Sequence, residues 1–234
     1  MRLRAQAFRT AIAGSIMLLT GVQATAAAIS ITNPDFEDLV LGCLAGPSCF
    51  ALGQIPGWAV STINQTATFR PSIGPGGIFP NGIPNGNNVA AVGNQQGTGF
   101  ITQTLSAVLL ADTEYALSVA VGARADFPFS GYFIELLAGT NLLATSSALS
   151  PQAGQFLTDS FTFLSTGSTL GLGEALTIRL GSVRTGAQVD FDAVSLVANS
   201  RPQPVPEPSA PILVASALLA AFACSRRVTP RQDA

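Results

Sequence analysis

The chain has 234 residues, of which 47% are hydrophobic and 10% charged, with a formal net charge of −2. All 11 basic residues are arginine, and there is no histidine. That excludes imidazole catalysis, His-ligated metals and imidazole pH switches, and so few charges argue against a nucleic-acid-binding face. At the N-terminus Arg2, Arg4 and Arg9 precede an apolar run from Ala11 to Val22, and Ala-x-Ala spacing follows at Ala24–Ala26 and Ala26–Ala28. This is the three-part layout of a secretory signal peptide, assigned to residues 1–28. The apolar run is short of the ~20 residues that a spanning helix needs.

Residues 29–200 form the body of the chain, and their hydrophobic period is two. Tyr115, Leu117, Val119 and Val121 alternate with small residues; Leu176, Ile178 and Leu180 alternate with Thr177 and Arg179; Phe161 and Phe163 flank Thr162. Val189, Phe191 and Val197 share one parity with Ala193 and Ser195. Further strands are expected at 29–32, 58–63, 66–70, 88–92, 100–105, 131–137 and 142–146, separated by Gly- and Asn-rich turns. Some eleven short strands without a convincing helix predict an all-β sandwich. Trp58 and Tyr115 fall on strand patterns that assign them to the core. Residues 71–88 make a loop rich in Gly, Pro and Asn, either lining a cleft or mobile.

Two cysteines lie in this body, Cys43 and Cys49. In the oxidising compartment that a signal peptide implies they are expected to pair, adding roughly 2–3 kcal/mol in the chain-entropy model; two free thiols are the alternative. Counted over 29–208, five arginines stand against twelve carboxylates, an excess charge of −7. Acidity of this kind serves solubility and is compatible with divalent cations or neutral sugars.

Residues 201–209 are a Pro-rich, extended linker. An apolar run from Ala210 to Cys224 follows, then a basic tail over 225–234 with Arg226, Arg227 and Arg231. A helix over 210–224 would span roughly 22 Å, less than the hydrocarbon core, so it suits transient retention in the inner membrane better than a permanent anchor. The basic cluster would stay on the cytoplasmic side.

Val205, Pro206, Glu207 and Pro208, the apolar segment, and Arg226-Arg227 occur in the order of the PEP-CTERM sorting signal, which this end resembles. The resemblance implies a Gram-negative bacterium that makes exopolysaccharide, and a membrane-embedded exosortase that removes the tail. The protein would be exported, held transiently in the inner membrane and released to the cell surface or extracellular matrix. The body also carries a resemblance. Asn33-Pro34-Asp35-Phe36-Glu37, Ile55-Pro56-Gly57-Trp58, the run from Pro84 to Ala90, Ile101 to Leu105, Tyr115 to Val119 with Gly122-Ala123-Arg124, and Val189 to Leu196 follow one another as in the galactose-binding-like jelly rolls. Carbohydrate-binding modules share that fold. The resemblance implies a jelly-roll topology with first and last strands adjacent, and a structural calcium ion on Glu37 and Asp192, with Asp190 assisting. Calcium takes six to eight oxygens, so backbone carbonyls would supply most of the set. The blander reading makes Asp35 and Glu37 turn residues and leaves Asp190 and Asp192 solvated.

Tyr132 and Arg124, in and near the turn at 124–129, are the surface candidates for stacking on a glycan, although Arg124 can instead pair with Asp126. No nucleophile motif, metal cluster or phosphate loop stands out. The expectation is therefore a non-catalytic surface or matrix protein, structural or glycan-binding, in association with exopolysaccharide and without a nucleic-acid partner. A secreted carbohydrate-active enzyme with an Asp/Glu pair and a protein-binding adhesin are the alternatives.

Overall fold

The computed structural model describes residues 26–41 and 48–201. Cys43, the sorting-motif residues Val205, Pro206, Glu207, Pro208, Arg226 and Arg227, and the apolar segment 210–224 lie outside the described residues. Within them, no helix is long and apolar enough to cross a membrane.

The fold is all-β, a jelly-roll sandwich of two antiparallel sheets. Its strands are β1 (Ala26–Ile29), β2 (Cys49–Leu52), β3 (Ala59–Val60), β4 (Thr66–Arg70), β5 (Val89–Val92), β6 (Phe100–Val108), β7 (Thr113–Ala123), β8 (Tyr132–Ala138), β9 (Asn141–Ser146), β10 (Gln155–Leu164), β11 (Ala175–Ser182) and β12 (Val189–Ser200). The larger sheet runs β10-β7-β12-β5-β4-β2, with β1 also paired to β12; the smaller runs β3-β6-β11-β8-β9. β1 begins at Ala26, inside the segment assigned to the signal peptide, and pairs Ala26 to Ala28 with Asn199 to Val197. At the other end Arg201 N donates to Asp112 O.

Period-two alternation builds the core. Leu117, Val119 and Val121 of β7, Ala90 and Val92 of β5, and Val189 and Phe191 of β12 point between the sheets and meet Ile134 and Leu136 of β8 and Ile178 and Leu180 of β11, all buried. Trp58 and Tyr115 belong to this core. The Trp58 indole N–H donates to Asn33 O at 3.2 Å, and the Tyr115 hydroxyl accepts from Leu110 N at 2.8 Å, so both polar tips are satisfied.

The single parity expected along 189–197 does not hold. A bulge interrupts the β12–β7 register between Asp192 and Ser195, with Ala193 at φ 49°. The extra residue flips the alternation, so Val194 and Leu196 turn inward and Val197 turns outward. Two further differences lie at the sheet edge. β2 is a strand that the pattern did not announce, and the expected strand over 58–63 shrinks to the two residues of β3, followed by a 3-10 turn at Ile63–Gln65.

Candidate active site

If one face of the larger sheet packs the core, the alternate residues line the other face. Antiparallel partners share a face, so the register reads across it as Leu52, Ala67, Ala91, Asp190, Gly122 and Phe156. One step along, Phe50, Phe69 and Val89 continue the same face. Gly122 is small because it must be: a Cβ there would collide with the Phe156 ring.

Segment 71–88 crosses this face and is anchored to it through Ile78 and Phe79. Ile78 and Phe79 are buried against Phe69, Val89 and Ala91, with Phe156 and Ile83 at the margin. Ala125 N donates to Ile78 O, and Asn85 N donates to Asp192 Oδ2. Openings border the segment among the described residues. One is a groove of about 170 Å³ lined by Phe50, Leu52, Ala67, Ala91, Gln65 and Gln188 among others. Another is a hollow of about 340 Å³ between residues 81–84 and Ala120, Phe156 and Thr158. Asp190 lies between them, the register partner of Ala91 on one side and Gly122 on the other.

Asp190 is fully buried. Its Oδ1 accepts from Gln188 Nε2 at 2.7 Å, and its Oδ2 has no hydrogen-bond partner. Burial pushes its carboxyl up to about 7, against the Gln188 hydrogen bond and the Arg124 charge, both of which favour the anion; Asp126 adds to the rise. At neutral pH this acid therefore holds a large share of its proton. Gln65 Oε1, at the margin of the groove, is a second buried oxygen without a partner. A polar atom left unpaired in the fold is costly unless something bound completes it.

Arg124 lies beside this acid and not on an open surface. Its guanidinium carbon stands 4.8 Å from the Phe69 ring centroid and 5.5 Å from that of Phe50, the two rings being stacked 4.1 Å apart. Nε and Nη2 pair with the Asp126 carboxylate at 2.9 and 2.8 Å, and Nη1 donates to Gln188 Oε1 at 3.2 Å. Tyr132, the other surface candidate, is buried at 1% exposure with its hydroxyl donated to Asp159 Oδ2. β8 places it inward because position 132 shares parity with Ile134 and Leu136, so it offers no ring to a surface ligand.

Glu37 and Asp192 do converge. Glu37 Oε1 accepts from Asn87 N and Asn88 N at 2.8 and 2.6 Å, an approach that requires glycine at position 86, where any Cβ would strike the Glu37 carboxyl. Asp192 Oδ2 takes Asn85 N, Oδ1 takes Ala193 N, and Asp35 Oδ1 accepts from Asn85 Nδ2. Burial first, then the charges of Asp35 and Glu37, raise Asp192 to about 7. Among the described residues no three His, Cys, Asp or Glu side chains gather closely enough to hold a metal by themselves. Cys49 is disulfide-bonded.

Sequence reasoning placed Asp190 only as an assistant to calcium and passed over Gln188 and Gln65. The available signal was parity: Asp190 alternates with the core residues Val189 and Phe191 and so had to face the other side of the sheet.

Comparisons with known proteins bear on this face. The HpiC1-like family, described as HpiC1 cyclase, matches residues 27–197. The Stig cyclase Fisc from Fischerella sp. TAU, solved with (3Z)-3-(1-methyl-2-pyrrolidinylidene)-3H-indole, is 31% identical, covering 76% of this chain and 100% of that one at a TM-score of 0.65. A cyclase from the same organism, solved with 4-(1H-indol-3-yl)butan-2-one, is 30% identical, covering 75% and 100%, also at 0.65. An apo cyclase from Fischerella sp. is 30% identical over 76% and 98%, at 0.64. No curated protein sequence matches. These findings correct the sequence reading. The family is not that of PEP-CTERM surface proteins, and a non-catalytic structural or glycan-binding role gives way to an enzyme. Exosortase and exopolysaccharide fall away as partners; the Fischerella cyclases are solved with small indole compounds. The chain belongs to the HpiC1-like cyclase family.

Proposed function

We propose that this protein is an enzyme that closes rings in an apolar, aromatic small molecule by proton transfer, with Asp190 as the general acid and then the base. The observation that carries the reading is the buried Asp190 carboxyl, raised to about 7, with Oδ2 unpaired on an aromatic face. A carboxylic acid kept neutral by burial can protonate an electron-rich carbon at neutral pH. The proton leaves Oδ2 and forms a C–H bond, leaving a cation on the substrate. The aromatic rings of Phe79 and Phe156 suit a cation in a dry site. An internal π bond then attacks the cation to close the ring, and the Asp190 carboxylate takes a proton from the closed cation. The sum is an isomerisation with no oxidant or reductant.

The indole compounds bound to the Fischerella cyclases support an indole-bearing substrate. The test is turnover of a panel of 3-alkenyl indoles, with 4-(1H-indol-3-yl)butan-2-one as a binding probe. Asp190→Asn is nearly isosteric and cannot deliver the proton. It is expected to lose at least ~100-fold in turnover while still binding the probe. Full activity in that variant would remove Asp190 from the reaction.

Two further elements belong to this proposal. A structural calcium ion at Glu37 and Asp192 is supported by the charge that Asp35 and Glu37 place beside a buried Asp192, with backbone carbonyls completing its shell. It would hold residues 85–88 down and take no part in the proton transfer. We further propose that the protein is exported and acts outside the cytoplasm, a reading that the N-terminal leader pattern and the Cys49 disulfide support; fractionation of cells carrying the tagged protein tests it.

A further inference from the structure

Gly171 decides where two leucines go. It holds φ 85°, and its backbone lies so close to Ala138 that a Cβ would stand 3.0 Å from the Ala138 methyl group. This contact seats the loop between β10 and β11 on the end of β8 and leaves Leu170 and Leu172, on either side of Gly171, exposed, Leu170 by 76%. The loop is pinned there: Gly173 N donates to Leu109 O, and Leu109 N donates to Glu174 O, both at 2.9 Å. The neighbouring turns expose leucine too, Leu110 between β6 and β7 and Leu142 at the start of β9. Leu142 and Leu170 border one hollow together with Leu143 and Phe163. All four exposed leucines belong to one end of the sandwich, because Ala175 pairs with Val108, Leu176 with Ala138 and Leu164 with Glu114.

A single exposed leucine is ordinary, but several on adjoining loop tips mark a surface that something apolar covers. The exit of the chain indicates what. Arg201 N donates to Asp112 O, and the Arg201 guanidinium pairs with Glu114, so the chain leaves the fold beside Leu110. Residues 202–209 then lead to the apolar run 210–224 that the sequence assigns to membrane retention. Extended, they reach about 25 Å. With that run in a bilayer, the leucine-bearing end is the part of the fold held closest to the lipid. Charge narrows the choice further. Loop 165–173 and residues 139–143 carry no ionisable side chain. Among the described residues at this end, Asp112, Glu114 and Glu174 outnumber Arg201. Such a surface has no basic patch for anionic headgroups and suits neutral lipid.

We propose that the end of the sandwich bearing Leu110, Leu142, Leu170 and Leu172 docks on a neutral lipid surface, with these side chains entering its interfacial layer. The proposal goes beyond the ring-closing activity and does not depend on it. It is compatible with an open site: Asp190 pairs with Gly122, which lies roughly 27 Å along β7 from Glu114. The openings beside Asp190 therefore stay clear of the lipid while the leucines are in it.

The experiment puts an indole at the loop tip of the full chain and asks whether lipid reaches it. The one native tryptophan, Trp58, is buried and gives a constant background. Leu170→Trp is compared with Val183→Trp, which alters an exposed side chain just past the opposite end of β11. Each is mixed with phosphatidylcholine vesicles, plain or with brominated acyl chains that quench indole emission on contact, and sedimentation measures the bound fraction. Bound Leu170→Trp is expected to shift its emission to shorter wavelength in plain vesicles and to lose it in brominated ones, while Val183→Trp does neither. Folding is checked by the melting curve, and Leu110→Trp serves if Leu170→Trp does not fold. Adding Leu170→Asn and Leu172→Asn to Leu110→Trp is expected to restore emission, because the native leucines carry the contact. Equal quenching at positions 170 and 183 overturns the proposal. So does protein that sediments with the introduced indole unquenched, held by the tail alone, or protein that stays in the supernatant. An emission shift that grows with protein concentration in the absence of vesicles means that a second copy covers the leucines, and it overturns the assignment to lipid.

Discussion

Tyr132 shows at the residue scale how a side chain of binding type can serve only the core. Its hydroxyl donates to Asp159 Oδ2 at 2.5 Å and accepts from Leu149 N at 2.8 Å, while the Ser146 hydroxyl reaches the same Asp159 oxygen at 2.7 Å. Tyr132→Phe leaves a part-buried amide without its acceptor and Asp159 with one donor fewer. That should cost about 1–3 kcal/mol in urea unfolding and leave the affinity for an indole probe unchanged; a variant that binds several-fold more weakly at full stability would return Tyr132 to the ligand site. The residues that were legible at this scale were those whose pattern fixes a face, such as Trp58 and Tyr115. Glu37 and Asp192 were legible as neighbours because first and last strands adjoin in the jelly roll that the motifs resemble. Asp190 was not legible as an acid, because its raised affinity for protons comes from burial, which depends on packing between parts of the chain distant in sequence.

At the scale of the element, the 71–88 segment decides whether the outer face is wet. Its Gly, Pro and Asn content announces turns but conceals the apolar pair Ile78-Phe79, which makes it a packed cover. Phe79 stands 4.6 Å from Phe156, ring centroid to centroid, and the Phe156 ring rests on Gly122, the register partner of Asp190. Phe79→Ala should therefore have two effects. Stability should fall by about 3–5 kcal/mol, as for other buried phenylalanines, and water admitted above the sheet should lower the Asp190 midpoint from about 7 towards the ordinary 3.8. Urea unfolding reads the first and the carboxyl titration the second; an unmoved midpoint would mean that the segment does not keep Asp190 dry. The alternation of long strands such as β7 and β11 was legible because each spans a buried face. The flip within β12 and the existence of β2 were not, since a bulge is set by the partner strand and a four-residue edge strand by what it pairs with.

For the whole molecule, the two buried aspartates set how stability varies with pH. Asp190 and Asp192 hold protons in the fold up to about pH 7 and release them near 3.8 when unfolded. Between those values the folded state binds more protons than the unfolded chain, so stability falls as pH rises from about 4 to about 7 and stays low above that. Asp126 has the opposite sign, held below the usual carboxylate range by Arg124, but it is half exposed and its contribution is screened. The net loss between pH 4 and pH 8 should be on the order of 3 kcal/mol or more, read as a falling urea midpoint in chelator. Asp190→Asn and Asp192→Asn together should flatten the curve. The calcium ion proposed at Glu37 and Asp192 would separate the two aspartates, because it would relieve the repulsion around Asp192 more than it acts on Asp190. Added calcium should thus recover part of the stability at pH 8, and Asp192→Asn should abolish that recovery. A urea midpoint that does not fall from pH 4 to pH 8 in chelator, and is the same in the double Asn variant, would show that these carboxyls ionise in the fold as readily as in the unfolded chain. It would then remove the physical basis for a neutral acid at position 190.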